Sequence, residues 1–396
     1  MTSATTAAVD ADASGAEREA SHAEREAFRA SVRRFVEREI EPFAAAWDEA
    51  ESFPRELYRK AAAAGLLGIG YPEALGGTPA GMAWRLIATE EVARAGSGGL
   101  MASLFSHSIG LPPIVAHGSE ALQQRIVPDV LAGAKISALA VTEPGAGSDV
   151  ARLACRARRD GEAWVIDGEK TFITSGLRAD WITLAVRTGR PGAAGISLLA
   201  VPGDAQGLER TPLAKMGWWC SDTAQLRFAN CRVPLDHLIG AENDGFRAIM
   251  DNFNGERLLL AAGAVAFAGV CFDEALAWAR QRRTFGQALV EHQVVRHKLM
   301  DMRMRVFSSR AWVEALVARH DRGETGPEWV AELCLLKNHA TQAMQFCADQ
   351  AVQILGGMGF VRGTKSERIY REVKVMMIGG GSEEIMKELA ARQLGV

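Results

Sequence analysis

The strongest constraint on the fold is a change of composition at two points in the chain. Between about Lys135 and Asp244 the sequence is rich in Gly, Pro, Val, Thr and Trp and shows short alternating runs typical of β-strands. On both sides of this segment, apolar residues recur at helical spacing. The sequence therefore predicts an α+β fold with an N-terminal helical domain (16–134), a middle β domain, barrel or sandwich (135–244), and a C-terminal four-helix bundle (245–396).

The same patterns predict the individual elements, with Pro42 and Pro54 as breaks or starts of the first helices and Ser119 as a helix cap. Turns are expected at Asp160-Gly161 and Asp167-Gly168. The predicted strands are Ile136–Val141, Ala163–Ile166, Trp181–Arg187, Gly195–Val201 and Ala224–Phe228. The predicted helices are Glu17–Ala64, Met82–Ala95, Met101–His117, Gln123–Leu131, Ala248–Gln281, Glu291–Arg319, Pro327–Leu355 and Glu383–Leu394.

Composition excludes several classes of function. The net charge of −3 on 396 residues favours neither nucleic acid nor an anionic membrane surface. No apolar run approaches the roughly 18 residues needed to span a bilayer. Residues 1–15 lack a basic residue and contain two aspartates, so we expect a disordered tail on a cytoplasmic protein rather than a targeting signal. The six irregularly spaced cysteines predict buried reduced thiols, and the eight histidines show no metal spacing.

The segment Val141–Val150, Val-Thr-Glu-Pro-Gly-Ala-Gly-Ser-Asp-Val, predicts a tight loop at the end of a buried strand. Its backbone N–H groups and the hydroxyls of Thr142 and Ser148 are donors suited to an anionic or carbonyl-rich ligand. Such a loop suits a cofactor cradle, and an ordinary surface turn explains it about equally well.

A second stretch, Gly168–Gly176, places Phe172 and Thr174 two residues apart at a strand end, where they are expected to share one face. A ring there can cover a planar ligand while the hydroxyl binds the edge of that ligand. The alternative is a strand with a solvent-facing threonine.

Two further motifs follow in the helical part. Gln281–Gly286 contains Arg282, which either grips a phosphate or is a solvated arginine at a helix end. Gln353–Phe360 ends a long helix with adjacent glycines that allow close backbone approach to a dinucleotide. A helix C-cap explains one such glycine, though not three.

These motifs, from about Glu17 to Leu394, resemble those of the acyl-CoA dehydrogenase family, flavoproteins that desaturate acyl thioesters. The resemblance implies FAD as cofactor, and Arg282, Phe285 and Gln293 would reach the FAD of a neighbouring subunit. The protein is therefore expected to oligomerise, as a homotetramer in most of the family. Phe172 stands where the family usually has tryptophan. The implied FAD contacts are Leu139, Val141, Thr142, Gly147, Ser148, Phe172, Ile173, Thr174, Arg282, Phe285, Gln293, Gln353, Gly356, Gly357, Ser382 and Glu384.

The catalytic base departs from the commonest family pattern. Gly380 stands where many members carry a glutamate in a Tyr-Glu-Gly-Thr stretch. Long-chain and isovaleryl-type members carry the base on the long helix, immediately before an arginine, and Glu256 occupies that position. The alternative is a helix glutamate paired with solvent or Arg257. Glu383 and Glu384 are weaker candidates, because a helix N-terminus stabilises their ionised form.

The resemblance implies a mechanism. Glu256 would take the α-proton, flavin N5 the β-hydride, and the Gly380 N–H would bind the thioester oxygen. Ser148, Asn254 and Arg257 match substrate-binding positions. Because residues 379–381 are glycines, we expect a long, branched or bulky acyl group, with an electron-transferring flavoprotein as acceptor. The alternatives are a flavin oxidase, a dehydrogenase of carrier-protein-bound acyl groups, and a monooxygenase-type or non-catalytic member of the fold.

The loop Met216–Thr223 carries two adjacent tryptophans, Trp218 and Trp219. Domain packing explains them, and a wall of the flavin site or acyl channel is the alternative.

Overall fold

A computed structural model describes residues 22–396, so the predicted tail and the start of the first helix lie outside the described residues. The N-terminal part is helical as predicted, with breaks near Pro42 and Pro54. The predicted helix Met101–His117 is wrong, because it is broken at residues 105–106 and again at Leu111, before Pro112. Ser119 is confirmed as a cap, its Oγ accepting from Leu122 N at 3.3 Å. The helices are α1 (22–39), α2 (Ala44–Glu49), α3 (Glu56–Ala63), α4 (Met82–Ala93), α5 (Gly98–Leu104), α6 (His107–Gly110), α7 (Pro112–His117) and α8 (Glu120–Leu131).

The middle part is one mixed sheet of eight strands in the order β6-β7-β3-β2-β4-β5-β8, with β1 parallel to β4. The turn at Asp160-Gly161 is confirmed between β2 and β3. The turn at Asp167-Gly168 is wrong, because β3 continues through a bulge in which Gly168 has φ +143°. The strands are β1 (Ser137–Ala140), β2 (Arg156–Asp160), β3 (Ala163–Ile173), β4 (Trp181–Arg187), β5 (Ile196–Pro202), β6 (Leu208–Pro212), β7 (Ala224–Pro234) and β8 (Leu238–Ile239).

The C-terminal part is a helical bundle in which α9, α10, α11 and α13 pack together and α14 lies on α11. The α+β fold with helical, β and helical parts is thus confirmed. Helix α13 was not predicted. The elements are α9 (Gly245–Gln281), β9 (Arg283–Thr284), β10 (Gln287–Ala288), α10 (Gln293–Asp321), α11 (Pro327–Leu355), α12 (Gly357–Phe360), α13 (Lys365–Ile378) and α14 (Glu383–Leu394).

Helix α9 is the inner helix of this bundle and also contacts α4. By length and apolar composition alone it passes as a membrane span, which contradicts the expectation that no run is long enough. However, 61% of its most apolar window is buried within the fold, as in the core helix of a bundle. The bent segment from α5 to α7 passes the same test. The six cysteines are free and buried, as predicted.

Candidate active site

A cavity of about 1120 Å³ lies where the three parts of the fold meet. Helices α4 and α5, the loop after β1, the end of β3, helix α9 and the loop after α13 all contribute to its wall. The predicted site residues that border it are Leu139, Val141, Thr142, Gly147, Ser148, Phe172, Ile173, Thr174, Glu256, Arg257, Gly380 and Ser382.

The loop after β1 is held by a buried ion pair. Lys170 Nζ donates to Glu143 Oε1 at 2.7 Å and to Val141 O at 2.9 Å. Glu143 also accepts from Ala154 N at 2.6 Å and Cys155 N at 2.9 Å. Burial lowers the pKa of Lys170, against the attraction of Glu143. The pair fixes the loop that carries Thr142 and Ser148, and sequence reasoning missed it although both residues lie inside the quoted motifs.

Phe172 and Thr174 both border the cavity, but the prediction that a regular strand puts them on one face is wrong. Phe172 has φ +61°, an unusual value for a bulky side chain, and the pairing of β3 with β7 shifts between Lys170 and Ile173. Thr174 already lies in the following turn. The Phe172 side chain is 70% exposed, so a large apolar face is presented to the cavity.

Glu256 lies on α9 and is half-buried. Its Oε2 is inaccessible and has no hydrogen-bond partner among the described residues. Burial raises the pKa of this carboxyl to about 7, although the positive charges of Arg257 and Lys337 act in the opposite direction. A carboxyl that titrates near neutral pH inside a cavity is well matched to general-base catalysis.

Two cations bind the carbonyl groups of the loop after α13. Arg257 Nε donates to Gly380 O at 2.9 Å. Lys337 Nζ, on a fully buried side chain of α11, donates to Met377 O at 2.8 Å and Gly381 O at 2.7 Å. Burial and the nearby Arg257 lower the pKa of Lys337 to about 8, the burial effect being larger. Sequence reasoning missed Lys337, whose only signal is a lone lysine in an apolar stretch of helix.

Gly380 itself requires the absence of a side chain. Its φ is +69°, and a Cβ there would lie 2.7 Å from Leu260 Cδ1. Since Arg257 binds its carbonyl and no group within residues 22–396 accepts from its N–H, the N–H remains available to a ligand. Asn254 does not border the cavity. Its Oδ1 accepts from Arg257 Nη1 at 3.1 Å, so it supports the arginine.

The remaining predicted FAD contacts do not border the cavity of this chain. Phe285 is 97% exposed at the tip of the β9–β10 hairpin, where it and Gly286 both have positive φ, as in a type I′ turn. The other residues of this group are also exposed on the surface: Arg282, Gln293, Gln353, Gly356, Gly357 and Glu384.

The two tryptophans of residues 216–223 have different environments. Trp218 borders the cavity, with φ +55° and a buried Nε1 that lacks a partner among the described residues. Trp219 packs against Arg371, whose guanidinium carbon is 3.8 Å from the ring centroid, and Arg362 at 4.4 Å. The segment is a loop rather than a strand.

Comparison with known proteins shows which family this chain resembles. Models of the N-terminal, middle and C-terminal domains of acyl-CoA dehydrogenases match residues 22–134, 138–231 and 243–395. The rat mitochondrial long-chain specific acyl-CoA dehydrogenase is 36% identical over 93% of this chain and 85% of its own length. The chain belongs to the acyl-CoA dehydrogenase family.

Further relatives agree with this membership. Isovaleryl-CoA dehydrogenase of Oryza sativa is 34% identical over 93% of this chain and 90% of its own length. A solved structure from Mycobacterium smegmatis, assigned to the acyl-CoA dehydrogenases, has a TM-score of 0.92 and 47% identity, covering 94% of this chain and 98% of that one. The protein is an FAD-dependent oxidoreductase that acts on acyl-CoA.

The cavity residues fit a flavin cofactor. Thr142 and Ser148 provide hydroxyl donors at the cavity wall, where Gly147 adds no side chain between them and the ligand. The exposed ring of Phe172 offers an apolar face for a planar ring system. These residues would hold the flavin half of FAD.

Proposed function

We propose that this acyl-CoA dehydrogenase catalyses the α,β-desaturation of a long, branched or bulky acyl-CoA to the trans-2-enoyl-CoA, with Glu256 as base. The observation that carries the proposal is the buried, unpartnered Oε2 of Glu256 at the cavity wall. The raised pKa of the carboxyl, about 7, supports the same role.

The chain's own residues supply the proton chemistry and the positioning. Glu256 removes the α-proton of the thioester, and the Gly380 N–H donates to the thioester oxygen on which charge develops. Arg257 and Lys337 fix the carbonyls of residues 377–381 and so hold that N–H in place. The bound FAD supplies the acceptor for the β-hydride.

The room for a large acyl group is supported by the cavity volume of about 1120 Å³ and by helix α9. Leu259 and Leu260 follow Glu256 along the cavity wall. The glycines at 379–381 do not themselves open space, because a Cβ there would meet Val375, Leu260 or Met386. Apolar side chains on this face suit an alkyl chain.

The first test is anaerobic bleaching of the oxidised flavin band by a panel of saturated acyl-CoAs. We expect bleaching by long or branched members and loss of at least about 10³-fold in rate for Glu256→Gln, with FAD retained. Glu383→Gln is the control, because Glu383 pairs with Lys387 at 2.7 Å on the helix surface. A fully active Glu256→Gln variant would rule out the proposed base.

The panel also separates the alternative functions. We propose an electron-transferring flavoprotein as acceptor, so the reduced flavin should reoxidise faster with that protein than with oxygen. Rapid reoxidation by oxygen would identify an oxidase. Bleaching by carrier-protein thioesters alone would identify a carrier-protein substrate, and a flavin that no thioester bleaches would favour a monooxygenase-type or non-catalytic member. A cytoplasmic location is also proposed, and cell fractionation tests it.

We propose that FAD binding is completed by a second copy within a homotetramer. The support is the position of Phe285, 97% exposed on a hairpin away from its own cavity, beside the exposed Arg282 and Gln293. Phe285→Ala should lower the FAD content of the purified protein. Light scattering gives the oligomeric state, and a monomer that keeps stoichiometric FAD would contradict the proposal.

A further inference from the structure

Arg85 on α4 is a charged residue in an otherwise mainly apolar wall of the cavity. Ala88 and Thr89 follow it on the same helix face, and Leu66 and Met101 lie on the neighbouring wall. Within residues 22–396, no carboxylate oxygen lies within 4.0 Å of its guanidinium nitrogens. The nearby glutamates of α4 are engaged elsewhere, since Glu90 and Glu91 pair with arginines of α1 and α10.

The Arg85 side chain is fixed by contacts on one side. Its Nε donates to Ile69 O at 3.0 Å, and its guanidinium carbon lies 5.1 Å from the centroid of the Tyr71 ring. Tyr71 is itself buried, and its hydroxyl donates to His107 O at 3.1 Å. The two Nη groups have no hydrogen-bond partner in the described part of the chain. The guanidinium is therefore preorganised with free donors.

The groups around Arg85 carry no compensating charge. Burial, together with the charge of Arg85, lowers the pKa of His107 to about 4, so this imidazole is neutral at pH 7. Burial raises the pKa of Tyr71 to about 12, so its hydroxyl is also neutral. A cation without a counter-ion in an apolar wall is unfavourable. A carboxylate matches both its charge and its two parallel donors.

Arg85 lies on a different wall of the cavity from Glu256. Arg85, Ala88 and Thr89 belong to the α4 wall, whereas Glu256 and the loop 379–381 belong to the walls formed by α9 and the segment after α13. Within residues 22–396, no hydrogen bond or ion pair joins the Arg85 side chain to Glu256 or to that loop. Arg85 is therefore placed to meet a part of the acyl group other than the carbon that faces Glu256.

We propose, on the basis of the desaturation proposed above, that Arg85 binds a carboxylate at the far end of the acyl group. The preferred substrates are then ω-carboxyacyl-CoAs, in which a carboxylate replaces the terminal methyl group. The guanidinium selects the substrate and takes no part in the proton transfer.

The test compares ω-carboxyacyl-CoAs with methyl-ended acyl-CoAs of equal length, from six to twelve carbons, on the FAD-loaded enzyme. The readout is the ratio of kcat/KM values for flavin reduction, which cancels general effects of a variant on folding. Wild type should favour the carboxylate at one or more lengths. Arg85→Met should lower the ratio on the order of 10- to 100-fold, and Arg85→Lys by less, because lysine loses the bidentate geometry. Arg94→Met, at the exposed C-terminal cap of the same helix, is the matched control.

A second measurement makes the two proposals separable. Unreactive thioether analogues of the same pairs give dissociation constants by calorimetry without turnover. If neither class reduces the flavin, the desaturation proposal fails, while a carboxylate preference in binding that Arg85→Met removes still supports the site. A wild-type preference for methyl-ended chains at every length, in turnover and in binding, or a ratio unchanged in Arg85→Met, overturns the inference.

Discussion

Glu256→Gln should abolish activity and at the same time stabilise the protein at alkaline pH. Burial raises the pKa of the Glu256 carboxyl from an ordinary value of 4.5 to about 7. Below pH 4.5 the group is protonated in the folded and unfolded states, so it has no effect on the pH dependence of stability. Between pH 4.5 and 7 only the unfolded state releases the proton freely, and the free energy of unfolding falls.

The size of this pH-dependent loss of stability follows from the difference between the pKa of Glu256 in the folded and the unfolded protein. At about 1.4 kcal/mol per tenfold change in the ionisation constant, a pKa of about 7 corresponds to about 3 kcal/mol of lost stability at pH 8 or above. Glutamine has nearly the same shape and cannot ionise, so it avoids this loss. With an unfolding entropy of about 2.1 cal/mol/K per residue over 396 residues, the expected rise in Tm is about 4 °C at pH 8.

The assay is the thermal unfolding of wild type and variant at saturating FAD, at pH 4.5 and pH 8, with flavin reduction measured on the same samples. Glu383→Gln should leave Tm within about 1 °C at both pH values, because its carboxylate is near the surface and paired with Lys387. Equal Tm differences at pH 4.5 and pH 8 for Glu256→Gln would show that burial does not raise this pKa, and the argument for the base would lose its physical support.

Three further substitutions test the groups that hold the site. Lys337→Met removes a charge that lowers the pKa of Glu256, so the acidic limb of the pH–rate profile, which reports ionisation of the base, should move to higher pH and kcat should fall about tenfold. An unmoved profile contradicts an influence of Lys337 on the base. Lys170→Met leaves Glu143 buried without its cation and should cost about 3–5 kcal/mol of stability by denaturant unfolding, partly recovered when Glu143→Gln is added. Gly380→Ala should lower Tm, because φ +69° costs a residue with a Cβ about 1–2 kcal/mol, and slow flavin reduction; wild-type values for both exclude a special role for this glycine.

Much of the fold could be predicted from the spacing of apolar residues in the sequence, because a long helix repeats that spacing over many turns. Helix α11 has its predicted bounds, and α9 begins only three residues before its predicted start. Helix α13 was not predicted although Ile369, Val373 and Met376 recur at helical spacing and are buried, which is a signal that could have identified it; the charged residues Arg368 and Glu372, buried beside them, interrupt this pattern. Strand β2 is mostly charged and exposed, and it is fixed by its pairing with β3 rather than by its own composition.

Site residues could be predicted where the chemistry of the side chain itself indicates the role, and they were missed where the role depends on contacts between residues far apart in the sequence. Glu256, Thr142 and Ser148 carry chemistry that the motifs suggest. The carbonyl contacts of Lys337 join residues 40 and 44 positions apart, and no local pattern indicates such pairs. The orientation of Phe172 depends on a positive φ, which overrides the alternation of a strand.

Glu256, Leu259 and Leu260 belong to one continuous helix, α9, so the spacing between the proposed base and this part of the cavity wall is fixed. A shift or tilt of α9 moves these residues together and leaves that spacing unchanged. If the acyl group lies along this wall, adjustment of the cavity to its length must come from side chains on other elements, namely Thr89, Met101 and Met376. Substitutions on α4, α5 and α13 would then change the acyl-chain preference while Glu256 keeps its position.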